Sequence, residues 1–180
     1  MQFRKLRIEG LIEITPRKFN DNRGYFFESY NENTFIQGGL NFKFVQDNQS
    51  YSMAGVVRGL HFQKAPFAQG KLVRVLKGRI LDVAVDIRPG SPTFGQWESL
   101  ILDDEKSNML YIPEGFAHGF STLEESMVFY KCTNFYDKPS ESGLNWADKD
   151  LKIDWQIKNP LVSEKDAVLK FLKEISLESK

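Results

Sequence analysis

The sequence predicts an all-β fold, either a sandwich or a barrel, with two short helical stretches. Six segments alternate apolar and polar residues with the period of two that strands show; they cover residues 11–15, 42–46, 71–76, 79–87, 97–102 and 127–136. Turn signals such as DNRG, RPGSPTFG and PEG lie between them. Short antiparallel strands of this kind close into a barrel or form a two-sheet jelly roll, and the interior of either can hold a ligand.

The helical stretches lie at residues 32–39 and in the tail after Ser163. The first, ENTFIQGG, ends at two glycines. In the tail, Ser163 and Asp166 have the spacing of a helix N-terminal capping pair. Apolar residues of the tail recur at i, i+3, i+4 and i+7: Val168, Phe171, Leu172 and Ile175. We therefore expect one amphipathic helix that packs against the sheets.

Two of the alternating segments have a polar face. In residues 79–87 this face carries Asp82 and Asp86, and in residues 127–136 it carries Tyr130 and Tyr136. Such faces suit either solvent or the wall of a polar cavity, and the alternation does not choose between them. The two tyrosines also fit a simpler interpretation, in which their rings belong to the core and their hydroxyls lie at its rim.

Length and charge exclude several classes of protein. The 180 residues predict one domain, residues 1–180, that buries a core without disulfides or metals. Equal numbers of basic and acidic side chains, 24 of each, give no long-range field to attract nucleic acid or an anionic membrane. No signal-peptide pattern or apolar run of about 18 residues is present. We expect a cytoplasmic protein, with Cys132 as an inert packing residue.

His61, in the strand-like stretch VVRGLHFQ at residues 56–63, is one of two histidines. Jelly-roll metal sites normally use a His-x-His pair with a further imidazole and a carboxylate. Here the sequence reads His61-Phe62-Gln63, and the other imidazole is His118. We therefore expect no catalytic metal. A histidine is suited to general base catalysis near neutral pH; the alternative is a hydrogen-bonded core histidine.

The polar residues around His61 favour a ligand site: Arg58, Gln63, Gln69, Lys71 and Arg74. Gly59 and Gly70 lie among them, as they do where a ligand approaches the backbone closely. Strict alternation places Arg58 and His61 on opposite faces of one strand. If both act in one pocket, a bulge or kink at Gly59 is required.

Further candidates lie outside this stretch. QDNQS, residues 46–50, contributes Gln46, Asp47 and Asn48, and DNRGYFFES, residues 21–29, contributes Arg23 and Glu28. Turn or edge-strand chemistry accounts for both compositions, but amides and an arginine also suit a pyrophosphate and sugar hydroxyls. Asp166 is ambiguous too, because a carboxylate in the first turn of a helix is favourable by itself.

Six stretches together resemble the dTDP-4-dehydrorhamnose 3,5-epimerase family: RGLHFQ, AQGKLVRVLKG, DVAVDIRPGSPTFGQW, IPEGFAHGF, YKCTNFY and SEKD. They run from about residue 10 to about residue 168 in the family's order. The resemblance implies a cupin-like jelly roll, or double-stranded β-helix, without metal or cofactor and usually homodimeric. It implies action on a dTDP-linked 4-keto-6-deoxy sugar, dTDP-4-dehydro-6-deoxy-D-glucose, in the pathway to dTDP-L-rhamnose.

The resemblance also implies residue roles. His61 matches the general base, Asp166 the carboxylate that orients it, and Tyr130 the proton donor on the opposite face of the sugar. Lys71 matches a lysine near the C4 carbonyl. Other positions match residues that hold the sugar, the pyrophosphate or the nucleotide: Arg23, Glu28, Gln46, Asn48, Arg58, His118, Tyr136, Glu141 and Lys165. The chain departs from the family at Asn134-Phe135, where many members have an acidic residue and a tyrosine, and the parity of Tyr136 predicts that Phe135 faces away.

The implied chemistry is consistent with these residue types. A ketone at C4 acidifies the hydrogens on C3 and C5, so one base can invert both carbons without a redox cofactor. An epimerase of C3 or C5 alone, or one for another nucleotide-linked 4-keto sugar, remains open. A non-catalytic jelly roll that binds sugar nucleotides would not need His61, Asp166 and Tyr130 together, and a metal-dependent oxygenase would hold iron. The aromatic stretch YFFESY is a candidate for a strand added to a partner's sheet.

Overall fold

The structure is a computed structural model that describes residues 1–178. Most of these residues lie in strands or in the turns that connect them. The strands are β1 (Gln2–Lys5), β2 (Ile12–Thr15), β3 (Phe19–Asp21), β4 (Gly24–Phe26), β5 (Gln46–Ser52), β6 (Val57–Gln63), β7 (Lys71–Lys77), β8 (Arg79–Asp86), β9 (Trp97–Asp103), β10 (Met109–Ile112), β11 (Phe116–Thr122), β12 (Ser126–Cys132) and β13 (Glu141–Gly143). The helices are α1 (Glu32–Gln37), α2 (Glu164–Ala167) and α3 (Leu172–Glu178), with a 3-10 turn at Lys138–Ser140.

Two antiparallel sheets form the body of the protein. Six strands pair in the order β1-β2-β10-β7-β12-β5, and five pair in the order β13-β6-β11-β8-β9. An apolar core containing Val73 and Val75 from the first sheet and Ile80 and Ala84 from the second lies between them. This is the predicted jelly roll of the cupin-like type. Strands β3 and β4 form a separate hairpin.

Both faces of strand β8 are buried, which settles where its polar face lies. Leu81, Val83 and Val85 pack into a second apolar cluster on the outer side of the five-stranded sheet. The side chains of alternate residues point the other way, toward the space between the sheets. Asp82 and Asp86 are therefore fully buried carboxylates in the interior. The polar face of this strand belongs to the interior and not to solvent.

Two strand predictions are wrong in extent. Residues 42–45 form no strand, because Phe42 stacks on Tyr111 at 4.4 Å and Phe44 packs edge-on against Tyr30. Their alternation thus reflects aromatic packing beneath α1 and not a hydrogen-bonded ladder. Strand β12 ends at Cys132, four residues earlier than predicted. Residues 46–50, assigned to turn or edge chemistry, lie in the edge strand β5.

The single helix predicted after Ser163 is also wrong, since two helices occupy this region. The Asn145 side-chain amide donates to the carbonyls of Ala167 and Leu169, and the Asn145 backbone N–H donates to Lys170. These bonds hold residues 168–170 in a non-helical path against strand β13. Val168 is consequently 82% exposed, whereas Leu172 packs on the outer cluster.

The other helix predictions are confirmed. Helix α1 begins after Asn31, whose side chain accepts the Thr34 N–H, and ends at Gly38. The Ser163 hydroxyl accepts the Asp166 N–H at 3.1 Å, as the capping pattern predicts. Within residues 1–178, no helix combines the length and the apolar composition of a membrane span.

Candidate active site

The His61 and Asp166 side chains form a hydrogen-bonded pair at one end of the five-stranded sheet. His61 lies on strand β6, and its Nε2 is 2.7 Å from Asp166 Oδ1 on α2. The second oxygen of the carboxylate accepts the Gly59 N–H at 3.1 Å. A carboxylate accepts hydrogen bonds, so the imidazole hydrogen lies on Nε2 and the Nδ1 lone pair is left for another partner.

The Asp166 carboxyl keeps its charge despite burial. Its side chain is 6% exposed. Burial by itself raises the pKa of the carboxyl, but the hydrogen bond and electrostatic interaction with His61, together with the Gly59 N–H and Ser163, bring the pKa below its usual value. A charged carboxylate fixed on Nε2 holds the imidazole in one tautomer and one orientation.

A bulge at Gly59 brings Arg58 to the same region, as the parity argument requires. Between the partners His61↔His118 and Arg58↔Phe120, strand β6 has one residue more than β11. Gly59 has φ +109, and a Cβ there would lie 2.6 Å from the Gly119 Cα. Glycine is therefore required here. The Arg58 guanidinium donates to the Ser52 hydroxyl and to the Tyr51 carbonyl.

His61 lines three cavities, which together bring most of the predicted site residues to one region. The mouth cavity, about 140 Å³, is lined by Gln46, Asn48, His61, Phe62, Gln63, Gln69, Lys71, Tyr130, Tyr136 and Glu141. The inner cavity, about 160 Å³, is lined by Ser50, Arg58, His61, Lys71, His118, Gly119, Phe120 and Tyr130. The outer groove, about 400 Å³, is lined by Val56, Val57, Arg58, His61, Leu161, Val162, Ser163, Lys165 and Asp166.

Tyr130 and Lys71 face His61 from the opposite sheet. Tyr130 lies on β12 and Lys71 begins β7, and both strands belong to the six-stranded sheet. Burial raises the pKa of the Tyr130 phenol, assisted by Cys132 and opposed by Arg58, so the phenol stays protonated at neutral pH. A group held between His61 and Tyr130 would therefore have a base on one side and an acid on the other.

The Lys71 ammonium is desolvated and lies near several acidic groups. Burial lowers its pKa, and Cys132, Asp82 and Glu141 oppose this shift. Among the described residues, no hydrogen bond or ion pair holds the ammonium. An ammonium of lowered pKa is a stronger hydrogen-bond donor toward an oxyanion than an ordinary lysine.

At the rim, Glu141 joins two further candidates. Lys165 Nζ lies 2.6 Å from Glu141 Oε1, and the Tyr136 hydroxyl donates to Glu141 Oε2 at 3.1 Å. Burial raises the pKa of Glu141, but Lys165 and Tyr136 together bring it below its usual value. The bond to Glu141 in turn raises the pKa of Lys165. These three residues connect the mouth cavity to the outer groove.

A second histidine–carboxylate pair lies on the inner side. His118 Nε2 is 2.7 Å from Asp82 Oδ1, and both side chains are buried. Asp82 Oδ2 and the Ser50 hydroxyl, also buried, have no hydrogen-bond partner within residues 1–178. His118 lines the inner cavity, as its sequence-based assignment requires.

Four of the residues that the sequence assigned to the site either lie outside the cavities around His61 or have their polar groups bonded to the backbone. Arg23 pairs with Asp21 on the exposed β3–β4 hairpin, and Glu28 accepts from Asn31. Asp47 points to the opposite face of β5 from Gln46 and Asn48, and it binds Lys131. These three line none of the cavities around His61. Gln63 lines the mouth cavity, but its amide binds backbone groups.

Sequence reasoning gave no role in the site to Ser50, Gln69 or Asp82. Ser50 shares the face of Gln46 and Asn48 on β5, but the sequence left open whether residues 46–50 form a turn or an edge strand, so their faces could not be assigned. Gln69 was named only as one of the polar residues around His61 that favour a ligand site, and Asp82 only as part of a polar face. Phe135, by contrast, is 61% exposed, as predicted, although β12 ends too early for strand parity to be the reason.

Within the described residues, no group of three or more His, Cys, Asp or Glu side chains is arranged to hold a metal ion. The candidate site instead offers a histidine–carboxylate pair, a protonated phenol and a desolvated ammonium around one space. A jelly roll with these groups in its mouth is a scaffold for acid–base catalysis.

The comparisons with known proteins agree with this class. A family model described as dTDP-4-dehydrorhamnose 3,5-epimerase matches residues 5–174. The enzyme of that name from Shigella flexneri is 50% identical over 164 residues, which are 90% of this chain and 91% of that one. The structure of a dTDP-6-deoxy-D-glucose-3,5-epimerase from Legionella pneumophila, in complex with dTDP-4-keto-L-rhamnose, has a TM-score of 0.94 at 44% identity and covers 98% of this chain and 95% of its own.

A dTDP-4-dehydrorhamnose 3-epimerase from Streptomyces niveus is 41% identical over 168 residues, 92% of this chain and 81% of that one. The chain belongs to the dTDP-4-dehydrorhamnose 3,5-epimerase family, whose members are carbohydrate epimerases.

Proposed function

We propose that this protein is a dTDP-4-dehydrorhamnose 3,5-epimerase, which converts dTDP-4-dehydro-6-deoxy-D-glucose to dTDP-4-dehydro-L-rhamnose in dTDP-L-rhamnose biosynthesis. The observation that carries the proposal is the His61–Asp166 pair, which faces Tyr130 across the cavities that both residues line. Epimerisation beside a ketone requires a base on one face of the carbon and an acid on the other.

In the first step, neutral His61 removes the hydrogen from C5 or C3 as a proton. The Nε2 hydrogen is committed to Asp166, so Nδ1 is the atom that accepts the proton. The electrons of the broken C–H bond move toward the C4 carbonyl oxygen and form an enolate. Asp166 stabilises the resulting imidazolium, because its charged oxygen lies 2.7 Å from the ring. A positioned base of this kind typically accelerates proton transfer by a factor of about 10²–10⁴.

Lys71 stabilises the enolate oxygen. Its ammonium has no competing hydrogen bond among the described residues, and burial strengthens its interaction with a negative charge. By comparison with the loss of a single donor in other oxyanion sites, this interaction contributes about 3–4 kcal/mol. The C4 oxygen is common to both half-reactions, so one ammonium serves C3 and C5.

Tyr130 then gives a proton to the carbon from the face opposite His61. The raised pKa of its phenol keeps the proton on oxygen until the enolate is formed. Protonation from the opposite face inverts the carbon. His61 then releases its proton to solvent and the Tyr130 phenolate takes one up, so the same pair of residues acts at the second carbon after the ring has shifted within the cavity.

The substrate is a dTDP-linked sugar, and the basic residues of the outer groove are suited to its pyrophosphate. Arg58 and Lys165 both line that groove, next to His61. In this proposal the sugar is surrounded by the remaining polar residues of the cavities: Gln46, Asn48, His118, Tyr136 and Glu141. The cytoplasmic location expected from the sequence stays a prediction.

The protein is proposed to act as a homodimer. Arg23 and Glu28 match substrate-binding positions of the family, yet both lie away from the cavities in this chain. Arg23 lies in the turn of the β3–β4 hairpin and Glu28 follows it, and the Phe19, Tyr25 and Phe26 side chains of this hairpin are more than half exposed. A second copy covering this hairpin would bury the aromatic rings and bring both polar residues near a substrate. Sedimentation of the protein as a monomer would contradict this part of the proposal.

The product distinguishes inversion of both carbons from inversion of C3 alone, which is the activity in the name of the Streptomyces niveus relative. Chelator-treated protein is incubated with dTDP-4-dehydro-6-deoxy-D-glucose, the ketone is reduced with borohydride, and the sugars are analysed. We expect L-rhamnose and its C4 epimer, 6-deoxy-L-talose. Sugars inverted at C3 alone would identify a 3-epimerase, and unchanged D-quinovose and D-fucose would contradict epimerisation.

A further inference from the structure

Residues 134–137, which come after Thr133 at the end of strand β12, are held by side chains and not by a sheet. β12 ends at Cys132, and residues 134–137 carry Tyr136, which lines the mouth cavity. Gln69 donates to the Asn134 carbonyl at 2.8 Å, and Gln46 accepts the Tyr136 N–H at 2.8 Å. These bonds replace the ladder that the strand no longer supplies.

Gln63 makes the largest share of these bonds. Its Nε2 donates to the carbonyls of Phe67 and Phe135, at 2.6 and 3.1 Å, and its Oε1 accepts the Asp137 N–H at 2.7 Å. The reversed amide would place oxygen against two carbonyls and NH₂ against an N–H, so this orientation alone satisfies all three partners. Gln63 is 8% exposed.

The amide of Gln63 consequently has no donor left for a substrate. An amide has two N–H donors, and both are bound to backbone carbonyls. Its partners lie in two loops, the β6–β7 loop with Phe67 and the β12–β13 connection with Phe135 and Asp137. Gln63 thus joins these loops at the point where both cross from one sheet to the other.

We propose that Gln63 is a positioning residue that sets the place of Tyr136 in the sugar cavity by clamping the backbone on both sides of it. The inference rests on the proposed epimerase function. The bonds at Phe135 O and Asp137 N flank Tyr136 directly, and the Tyr136 hydroxyl reaches Glu141 across the mouth. Gln63 therefore acts on the substrate through Tyr136 and not by contact.

The test is a double-mutant cycle between Gln63→Glu and Tyr136→Ala. The glutamate keeps the size of the side chain and the bond from Asp137, but it turns an acceptor toward the Phe67 and Phe135 carbonyls. We expect kcat/KM to fall about tenfold, mostly through a higher KM, a size typical of coupled neighbours. In the Tyr136→Ala background the same change should reduce kcat/KM less than about twofold, since the residue being positioned is already absent.

Equal losses from Gln63→Glu in both backgrounds would overturn the inference, because direct substrate contact and general destabilisation do not depend on Tyr136. Gln49→Glu, on the exposed face of β5, is the control for the added charge and should change neither constant. If Gln63→Glu does not fold, Gln63→Met gives the same cycle without a buried charge. Failure of the wild-type protein to epimerise would count against the proposed function, whereas additivity with an active wild type counts against the inference alone.

Discussion

His61 Nε2 and Asp166 Oδ1 lie 2.7 Å apart, although 105 positions separate the two residues in the chain. The pair depends on two local features of the backbone. The Gly59 bulge turns its N–H to the carboxylate, and the Ser163 cap starts the short helix α2 that carries Asp166. The carboxylate thus does more than place a negative charge in the first turn of α2, because it also fixes the tautomer of the imidazole.

Replacing Asp166 by asparagine tests this task. The amide of the variant can donate to Nε2, which moves the imidazole hydrogen to Nδ1 and removes the lone pair that faces the substrate. We expect kcat to fall by a factor of about 10²–10⁴ with little change in substrate affinity. Steady-state kinetics and equilibrium binding of dTDP separate the two effects. Asp154→Asn, at an exposed position, is the matched control, and kcat within about twofold of wild type in Asp166→Asn would contradict the orienting role.

The same variant gives a pH dependence of stability with a definite sign. The pKa of Asp166 is lower in the folded protein than its ordinary value of 3.8. The stabilisation from this carboxylate is therefore fully present above that value, and it is lost as the pH falls through the folded-state pKa. Urea unfolding of both proteins should show a difference at pH 7 that decreases below about pH 4. A difference that grows toward acid would mean that the sign of the shift is wrong.

Tyr130→Phe separates the acid from the base. The variant retains His61, so removal of the substrate hydrogen and its exchange with solvent continue from that face. Delivery of a proton from the other face is lost, and we expect turnover to fall by about 10²–10⁴ while exchange falls much less. Parallel measurement of product formation and deuterium incorporation tests the difference. An equal loss in both would remove Tyr130 from the donor role.

Lys71→Met should lower the activity of the protein and raise its stability. The enolate is formed in both exchange and turnover, so both rates should fall together, by about 10²–10³. The methionine also removes a desolvated ammonium that lacks a hydrogen-bonded partner in the described part of the chain, and the free energy of unfolding should rise by about 1 kcal/mol or more. Urea unfolding and the exchange assay measure the two effects. A destabilised variant would show that the acidic neighbours of Lys71 stabilise it more than burial disfavours it.

Gly59→Ala tests whether the bulge supports the pair. The added Cβ would lie 2.6 Å from the Gly119 Cα, at φ +109, so we expect a loss of about 2–4 kcal/mol in stability together with lower activity. Gly55→Ala is the control: φ is +86 there, but nothing lies within 4 Å of the added atom. Its loss should be about 1–2 kcal/mol, from the backbone conformation alone. Equal losses in the two variants would show that the close approach to β11 is unimportant.

The sequence predicts the sheets well because period-two alternation survives wherever one face of a strand is buried. It also predicts a bulge or kink at Gly59, on the condition that Arg58 and His61 share a cavity. It fails at residues 42–45, where aromatic packing imitates a strand, and at residues 168–171, where Asn145 interrupts an apparently continuous helix. In both places a contact distant in sequence overrides the local pattern.

The site itself is less accessible to local reasoning. No spacing pairs His61 with Asp166, and the resemblance to the family supplied that pair before the geometry did. Gln63 has the right position for a substrate ligand, and only its three backbone partners show that its amide is already bound. Asp47 is a similar case, because its direction could not be read while residues 46–50 were open to either a turn or an edge strand. Arg23 and Glu28 lie outside the cavities of this chain, so their role stays a prediction.

The central claim is that one base, His61, removes the hydrogens from both C3 and C5. Proton NMR of dTDP-4-dehydro-6-deoxy-D-glucose in D₂O, with wild-type protein and with His61→Asn, follows the two hydrogens separately. We predict that both signals disappear with wild-type protein and that both persist with His61→Asn. Normal loss of either signal in the presence of His61→Asn would contradict the account, because another residue would then be the base at that carbon.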